Sequence, residues 1–172
     1  MIFFVRHGET DYNTQGRVQG QLDIPLNDNG INQAKQLSEN LKEYKIDIIF
    51  CSPLLRARKT AEIINENHNV EIVYVDNLKE FYAGSKQGTK VSEWSKDETE
   101  EFRLYPERYG AESNKDFYTR SVNAFKENSK FENALIVSHG GVYKHLHRHL
   151  NNIQDLAEFV AVPANCSVIK LK

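Results

Sequence analysis

Two histidines occupy matching settings in this sequence. Arg6-His7-Gly8 follows the apolar run Ile2–Val5, and Ser138-His139-Gly140-Gly141 follows the apolar run Ala134–Val137. An imidazole at the end of a buried strand can act as a nucleophile or a base, and an arginine is a permanently charged planar fork suited to phosphate oxygens. Two further segments run from apolar to polar in the same way: Cys51-Ser52-Pro53-Leu54-Leu55-Arg56 and, after Val70–Val75, Leu78-Lys79-Glu80. Two guanidiniums and one imidazole can surround the equatorial oxygens of a phosphoryl group. The second imidazole can attack in line, and a carboxyl group can supply the leaving group's proton. A helix opening at Gly140-Gly141 adds free amides and a dipole that favour an anion. Surface charge explains any one of these positions equally well. It does not explain four converging roles in this order.

These residues need a scaffold that brings several strand ends to one rim, and the hydrophobic pattern supplies it. Short apolar runs at 2–5, 46–51, 70–75, 134–137 and 167–171 read as strands. Ile31, Ala34, Leu37, Leu41 and Tyr44 predict an amphipathic helix over 29–44, with Asn27 or Asp28 as its cap. Ser52-Pro53 reads as a cap with proline in the first turn of a helix that buries Leu54, Ala57, Ala61 and Ile64. Further helices are expected at about 113–130 and 141–150, and residues 11–27 read as a polar loop. Strands alternating with helices predict an α/β fold: a three-layer α/β/α sandwich around a mostly parallel sheet. Ligands in such folds bind beyond the carboxyl ends of the strands.

Residues 76–112 break the rhythm. They hold Gly84, Gly88, Pro106 and Gly110 around Trp94 and a Lys-Asp-Glu-Thr-Glu-Glu run read as a solvated helix face. The segment is too long for an ordinary connection and is expected to form a small helical and loop insertion over the active-site rim. The 172 residues suit a single domain, 1–172, with this insertion inside it. A net charge of −2 gives no nucleic-acid footprint, and no apolar run is long enough to span a membrane. No secretory leader is expected at the N-terminus. Cys51 and Cys166 read as buried free thiols, and the cytoplasm is the expected compartment.

The motifs resemble those of the histidine phosphatase superfamily, in its phosphoglycerate-mutase-like branch. The matching pieces are Arg6-His7-Gly8-Glu9-Thr10 with Asn13, Gln19-Gly20, Asp23-Ile24-Pro25-Leu26, Gly30 and Gln33-Ala34. Ser52-Pro53-Leu54-Leu55-Arg56-Ala57-Arg58-Lys59-Thr60-Ala61 follows, then Leu78-Lys79-Glu80 with Gly84 and Gly88, a loose Gly110-Ala111-Glu112-Ser113, and Val137-Ser138-His139-Gly140-Gly141-Val142. The resemblance implies that His7 becomes phosphohistidine while Arg6, Arg56 and His139 hold the phosphoryl group with help from Asn13. It implies Glu80 as general acid and then base, Tyr82 near the rest of the substrate, and no metal or organic cofactor. The partner implied is a small phosphorylated metabolite. Gln19 is expected to approach the pocket on its loop, and Gly140 to meet the anion.

The mutase subgroup carries an arginine directly after the glutamate to grip a carboxylate; here that residue is Phe81. It also carries paired arginines and a proline-rich stretch that 90–105 lacks. Phosphatase is therefore the expected activity, with phosphoglycerate mutase, or a phosphate-binding module without catalysis, as the alternatives. Smaller relatives acting on protein phosphohistidine lack the insertion and its glutamate. His145, His147 and His149 include an i, i+4 pair, but without a zinc motif they are read as lining one helix side, partly exposed. Lys86 and Lys90 are read as substrate contacts or as solvated insertion residues.

Overall fold

The computed structural model describes residues 1–156 and 158–172. Five strands form one sheet in the order β3-β2-β4-β1-β5. They are β1 (Ile2–Arg6), β2 (Ile48–Cys51), β3 (Glu71–Tyr74), β4 (Ala134–Ser138) and β5 (Val168–Lys170). The first four run parallel, and β5 pairs with β1 antiparallel. The β1–β4 register sets Arg6 opposite Ser138, so His7 and His139 leave the sheet at the same height.

The pleat sends alternate residues to opposite faces. Phe3, Val5, Ile49, Leu135 and Val137 pack under α2 (Asp28–Leu41) and α3 (Leu55–Asn65), against Leu37, Leu41, Ala57, Ala61 and Ile64. Ile2, Phe4, Phe50, Ala134 and Ile136 pack on the other face against Phe117, Ala124 and Phe125 of α5 (Asn114–Asn128) and Val142 and Leu146 of α6 (Gly140–Leu150). This is an α/β/α arrangement around a mostly parallel sheet.

Local chemistry sets the element ends, and here the structure refines the sequence reading. Asn27 caps α2 through its side chain and the Gly30 N–H, but α2 ends at Leu41; Tyr44 lies beyond it, edge-on to Phe3. Ser52 does not cap α3. Leu54 is the cap residue, and the orphan N–H of Leu55 is met by Asp23 Oδ1 at 2.6 Å. The stretch read as loop contains a one-turn helix, α1 (Asp11–Thr14), closed by a capping box between Thr10 and Asn13.

Between β3 and α5 the chain forms 3-10 turns at Asp76–Leu78, Gly84–Lys86, Val91–Glu93 and Pro106–Tyr109, and one helix, α4 (Lys96–Leu104). No residue of α4 is buried, as its charge run requires. Its Phe102 packs edge-on to Phe81, Trp94 and Tyr109, which seats the helix on the rim. Among the described residues no helix is long and apolar enough to cross a membrane.

Candidate active site

At the carboxyl ends of β1, β2 and β4 lies a cavity of about 300 Å³ whose walls include Arg6, His7, Gln19, Arg56, Glu80 and Gly140. His7 is buried, and its Nδ1 lies 2.7 Å from the Gly8 carbonyl oxygen. A carbonyl only accepts, so Nδ1 carries the proton and Nε2 presents its lone pair. Burial first, and then the Arg56 charge, hold the His7 imidazole well below its usual titration range, so it stands neutral near pH 7. Asn165 Nδ2 donates to the His7 carbonyl at 2.8 Å, and Thr60 Oγ1 takes the Gly8 N–H at 3.0 Å while donating to the Arg56 carbonyl at 2.7 Å. The backbones next to His7 and at Arg56 are thus fixed to each other through one threonine.

Arg56 is fully buried in the first turn of α3. It donates to the Gly20 carbonyl at 2.7 Å and the Leu22 carbonyl at 2.8 Å, and burial lowers its pKa to about 10. Arg6 donates to the Pro163 carbonyl at 2.7 Å. His139 lies under the floor, its ring centroid 5.2 Å from that of His7, with Nε2 at 2.7 Å from Ser52 Oγ. Burial first, and Arg56 next, depress its pKa too. The Ser52 hydroxyl can donate to Nε2, which puts the hydrogen of His139 on Nδ1, or accept from Nε2–H, which leaves Nδ1 a bare acceptor. Arg6 Nε, Arg56 Nε and His139 Nδ1 are all buried without a protein partner. Each such group costs about 1–3 kcal/mol unless a ligand satisfies it. Two guanidinium N–H donors beside one imidazole lone pair suit a tetrahedral oxyanion, and His139 adds a third in the tautomer protonated on Nδ1.

Glu80 faces this cradle from the insertion. Its carboxylate accepts from Phe81 N–H at 2.8 Å and Gly141 N–H at 3.1 Å. A Cβ at Gly141 would run into that carboxylate and the Phe117 ring, so a larger residue there would displace the Glu80 side chain. One amide expected to face the anion is therefore engaged by Glu80 instead. Gly8 likewise makes its close approach to protein, since a Cβ there would lie 2.6 Å from the Gly30 carbonyl oxygen. The backbone carrying Glu80 is held by Arg120, which donates to the carbonyls of Asn77 at 3.0 Å, Lys79 at 2.7 Å and Glu80 at 2.9 Å and pairs with Glu112 at 2.5 Å.

Other residues singled out in the sequence lie elsewhere. The side chain of Asn13 closes the α1 capping box, with its Oδ1 accepting from Thr10, and Asn13 does not line the cavity. Tyr82 is 42% exposed and also outside the lining; its backbone pairs with Glu112. Gln19 does line the cavity and accepts from Thr10 Oγ1 at 3.0 Å. Lys86 is buried between the Trp94 and Tyr109 rings and paired with Glu98, which makes it a tie within the insertion. His145 is buried rather than partly exposed, edge-on to Phe117 and Tyr118, with burial taking its pKa to about 3. His147 meets Tyr143 and His149 meets Phe125, so the three rings diverge. Among the described residues no cluster of three or more His, Cys, Asp or Glu could hold a metal ion.

The sequence reading missed Thr60, Asn165, Arg120 and Lys144. Thr60 could have been found, because i, i+4 from Arg56 puts both on one helix face. Lys144, three residues after Gly141 on α6, also lines the cavity. Asn165 and Arg120 act across long sequence separations that no local pattern reports.

The chain is similar to known proteins. The chain is 39% identical over 139 residues to an uncharacterized phosphatase, PhoE, of Bacillus subtilis, covering 81% of this chain and 71% of that one. It is 31% identical to a metal-independent phosphoserine phosphatase of Arabidopsis thaliana, covering 95% of this chain and 74% of the relative. A mycobacterial glucosyl-3-phosphoglycerate phosphatase solved with VO3 superposes with a TM-score of 0.86 at 27% identity, covering 97% of this chain and 88% of that one. The family model for the histidine phosphatase superfamily (branch 1) matches residues 2–172. With that match spanning the strand ends that carry both histidines and both arginines, the chain belongs to the histidine phosphatase superfamily, branch 1.

Proposed function

We propose that the protein is a phosphatase that hydrolyses phosphate monoesters through a phosphohistidine on His7. The observation that carries this reading is the pair of buried, unpartnered guanidinium donors, Arg6 Nε and Arg56 Nε, beside the neutral His7 imidazole, with His139 Nδ1 also buried and unpartnered. His7 Nε2 attacks phosphorus in line, the bond to the ester oxygen breaks, and Glu80 gives that oxygen its proton as the alcohol leaves. Arg6, Arg56 and His139 bind the equatorial oxygens as negative charge develops on them. Glu80, now a carboxylate, takes a proton from water, whose oxygen attacks phosphorus. The P–N bond breaks, releasing inorganic phosphate and restoring the neutral imidazole.

Glu80 is the one carboxylate among the residues lining the cavity; Glu112 is taken up by Arg120 and Glu93 does not line it. Relatives named as phosphatases support hydrolysis, while others are named phosphoglycerate mutases. Phe81 supports hydrolysis as well, since it packs against Phe102 and Phe117 where a mutase would carry a cation. The test is phosphate release over a panel of esters together with brief exposure to 32P-labelled substrate. Wild type should release phosphate and hold an acid-labile label, and His7→Ala should do neither. Labelling of the alanine variant at the wild-type level would remove His7 from the role.

A further inference from the structure

Residues 7–10 join β1 to α1, and the aim of the His7 ring depends on how their peptide groups are turned. The His7–Gly8 peptide is held at both ends, its carbonyl by Asn165 Nδ2 at 2.8 Å and its N–H by Thr60 Oγ1 at 3.0 Å. The next peptide, Gly8–Glu9, carries the carbonyl that accepts from His7 Nδ1 at 2.7 Å. Its N–H end donates to Gln33 Oε1 at 2.9 Å. Gln33 stands on α2, half-buried and outside the walls of the catalytic cavity.

A planar trans peptide points its C=O and N–H to opposite sides, and the two turn together. The peptide after it is fixed as well, since the Glu9 carbonyl accepts the Asn27 N–H at 3.0 Å. A peptide between two fixed neighbours can still turn over about its own long axis, by opposite changes in ψ of Gly8 and φ of Glu9. The missing Cβ of Gly8 leaves that rotation open. Turned over, the Gly8–Glu9 peptide would take its carbonyl off His7 Nδ1 and bring its N–H to that side. Nδ1 would then be the bare nitrogen, and the proton would sit on Nε2, where attack on phosphorus needs a lone pair. Gln33 Oε1 opposes this. It would be left facing a carbonyl, two acceptors with no proton between them.

We propose that Gln33 is a positioning residue for the nucleophile: through the Gly8–Glu9 peptide it keeps the proton of His7 on Nδ1 and the lone pair on Nε2. This rests on the phosphatase reading and adds to it a residue that lies outside the cavity. The relay does by way of a peptide what a buried carboxylate does when it bonds an imidazole directly.

The test compares wild type with Gln33→Leu, which removes the acceptor, and Gln33→Glu, which keeps one. Gln33→Ala, of high helix propensity, supplies the same readouts where the leucine chain folds poorly. Nitrogen-15 NMR of histidine-labelled protein reads the His7 ring, assigned against His7→Ala. Wild type and Gln33→Glu should show Nδ1 protonated and Nε2 bare, whereas Gln33→Leu should show both tautomers or the reverse one. For p-nitrophenyl phosphate, kcat/KM of Gln33→Leu should fall about tenfold, the worth of one hydrogen bond, and Gln33→Glu should restore it to within about threefold. The inhibition constant of inorganic phosphate should stay within about twofold, since Arg6 and Arg56 are untouched. A Gln33→Leu chain that loses stability while His7 keeps its proton on Nδ1 would mean that Gln33 only ties α2 to the loop, and the proposal fails. It fails too if the tautomer changes with no loss of kcat/KM, or if Gln33→Glu restores neither readout. If wild type releases phosphate from no ester, the phosphatase reading fails, and the spectra alone decide whether Gln33 sets the tautomer.

Discussion

Arg120→Lys tests how Glu80, the proposed general acid, is held. Arg120 has five N–H donors, and all are used on the Glu80 support: three on the carbonyls of Asn77, Lys79 and Glu80, and two on the Glu112 carboxylate. Glu112 in turn accepts the Tyr82 N–H at 2.7 Å, so the pair splints both sides of Glu80 and Phe81. Both side chains are largely shielded, at 18% and 16% exposed. Lysine keeps the charge but presents one ammonium in place of a planar fork, and it can satisfy Glu112 or the carbonyls but not all of them. Two or three lost bonds to a charged donor, discounted for partial solvent access, give a stability loss of about 2–4 kcal/mol. The expected kinetic effect is selective. A drift of about 1 Å in a catalytic group costs on the order of 100-fold, but only in a step that needs that group. An alkyl phosphate needs the proton from Glu80, whereas p-nitrophenolate leaves without it. Turnover of glycerol 3-phosphate should therefore fall by about 10- to 100-fold and that of p-nitrophenyl phosphate by no more than about threefold. Urea titration of the same preparations gives the stability term separately. Equal losses on both esters would mean that Arg120 supports the fold at large, and an unchanged alkyl rate would mean that Glu80 needs no splint.

Three further outcomes are expected. Arg56→Lys should lose at least about 100-fold in kcat/KM for p-nitrophenyl phosphate, because a point charge cannot span the Gly20 and Leu22 carbonyls and the phosphoryl oxygens together; near-normal turnover would take Arg56 out of the clamp. Glu80→Gln should give a burst of p-nitrophenol near one per enzyme followed by a slow phase, because dephosphorylation loses its base; a linear trace at the wild-type rate would contradict this. His7, His139 and His145 are all buried with depressed pKa values, so the unfolded chain binds protons that the folded chain refuses. Stability should then be level above about pH 7 and fall as pH drops through the unfolded histidine range near 6.5, by up to about 2 kcal/mol per histidine between pH 7 and 5. His145→Phe should flatten that fall by about one proton's worth, and urea midpoints independent of pH across this window would refute the assignment.

The legible parts of this molecule are those that depend on near neighbours in sequence. Helix period, apolar strand runs and the residues straight off each strand end are local, so Arg6, His7, Arg56 and His139 could be named before any coordinates. What escaped was either one turn long, as with α1, or dependent on distant partners. The Leu55 N–H is answered by Asp23 and the His7 carbonyl by Asn165, and neither pairing leaves a pattern in the chain. Asn13 and Lys86 illustrate the opposite error. Their residue types suit a ligand, but a capping box and an aromatic box claim them first. The antiparallel direction of β5 was also hidden, because a three-residue strand carries no mark of its polarity.

The sheet order has a consequence for how the chain is made. β1 emerges first among the strands, yet its two neighbours, β4 and β5, are the last to follow. At roughly 5–20 residues per second, the apolar Ile2–Val5 segment waits about 6 to 25 seconds on the ribosome before Ala134–Ser138 can pair with it. The α2, β2, α3 and β3 segments can associate meanwhile, but β1 has no sheet partner among them. Catalytic competence comes later still, since Arg6 and His7 are anchored by Pro163 and Asn165. The nascent chain therefore holds His7 long before it holds the groups that surround it, and the place that β4 fills between β2 and β1 is where a chaperone or a misplaced strand would compete.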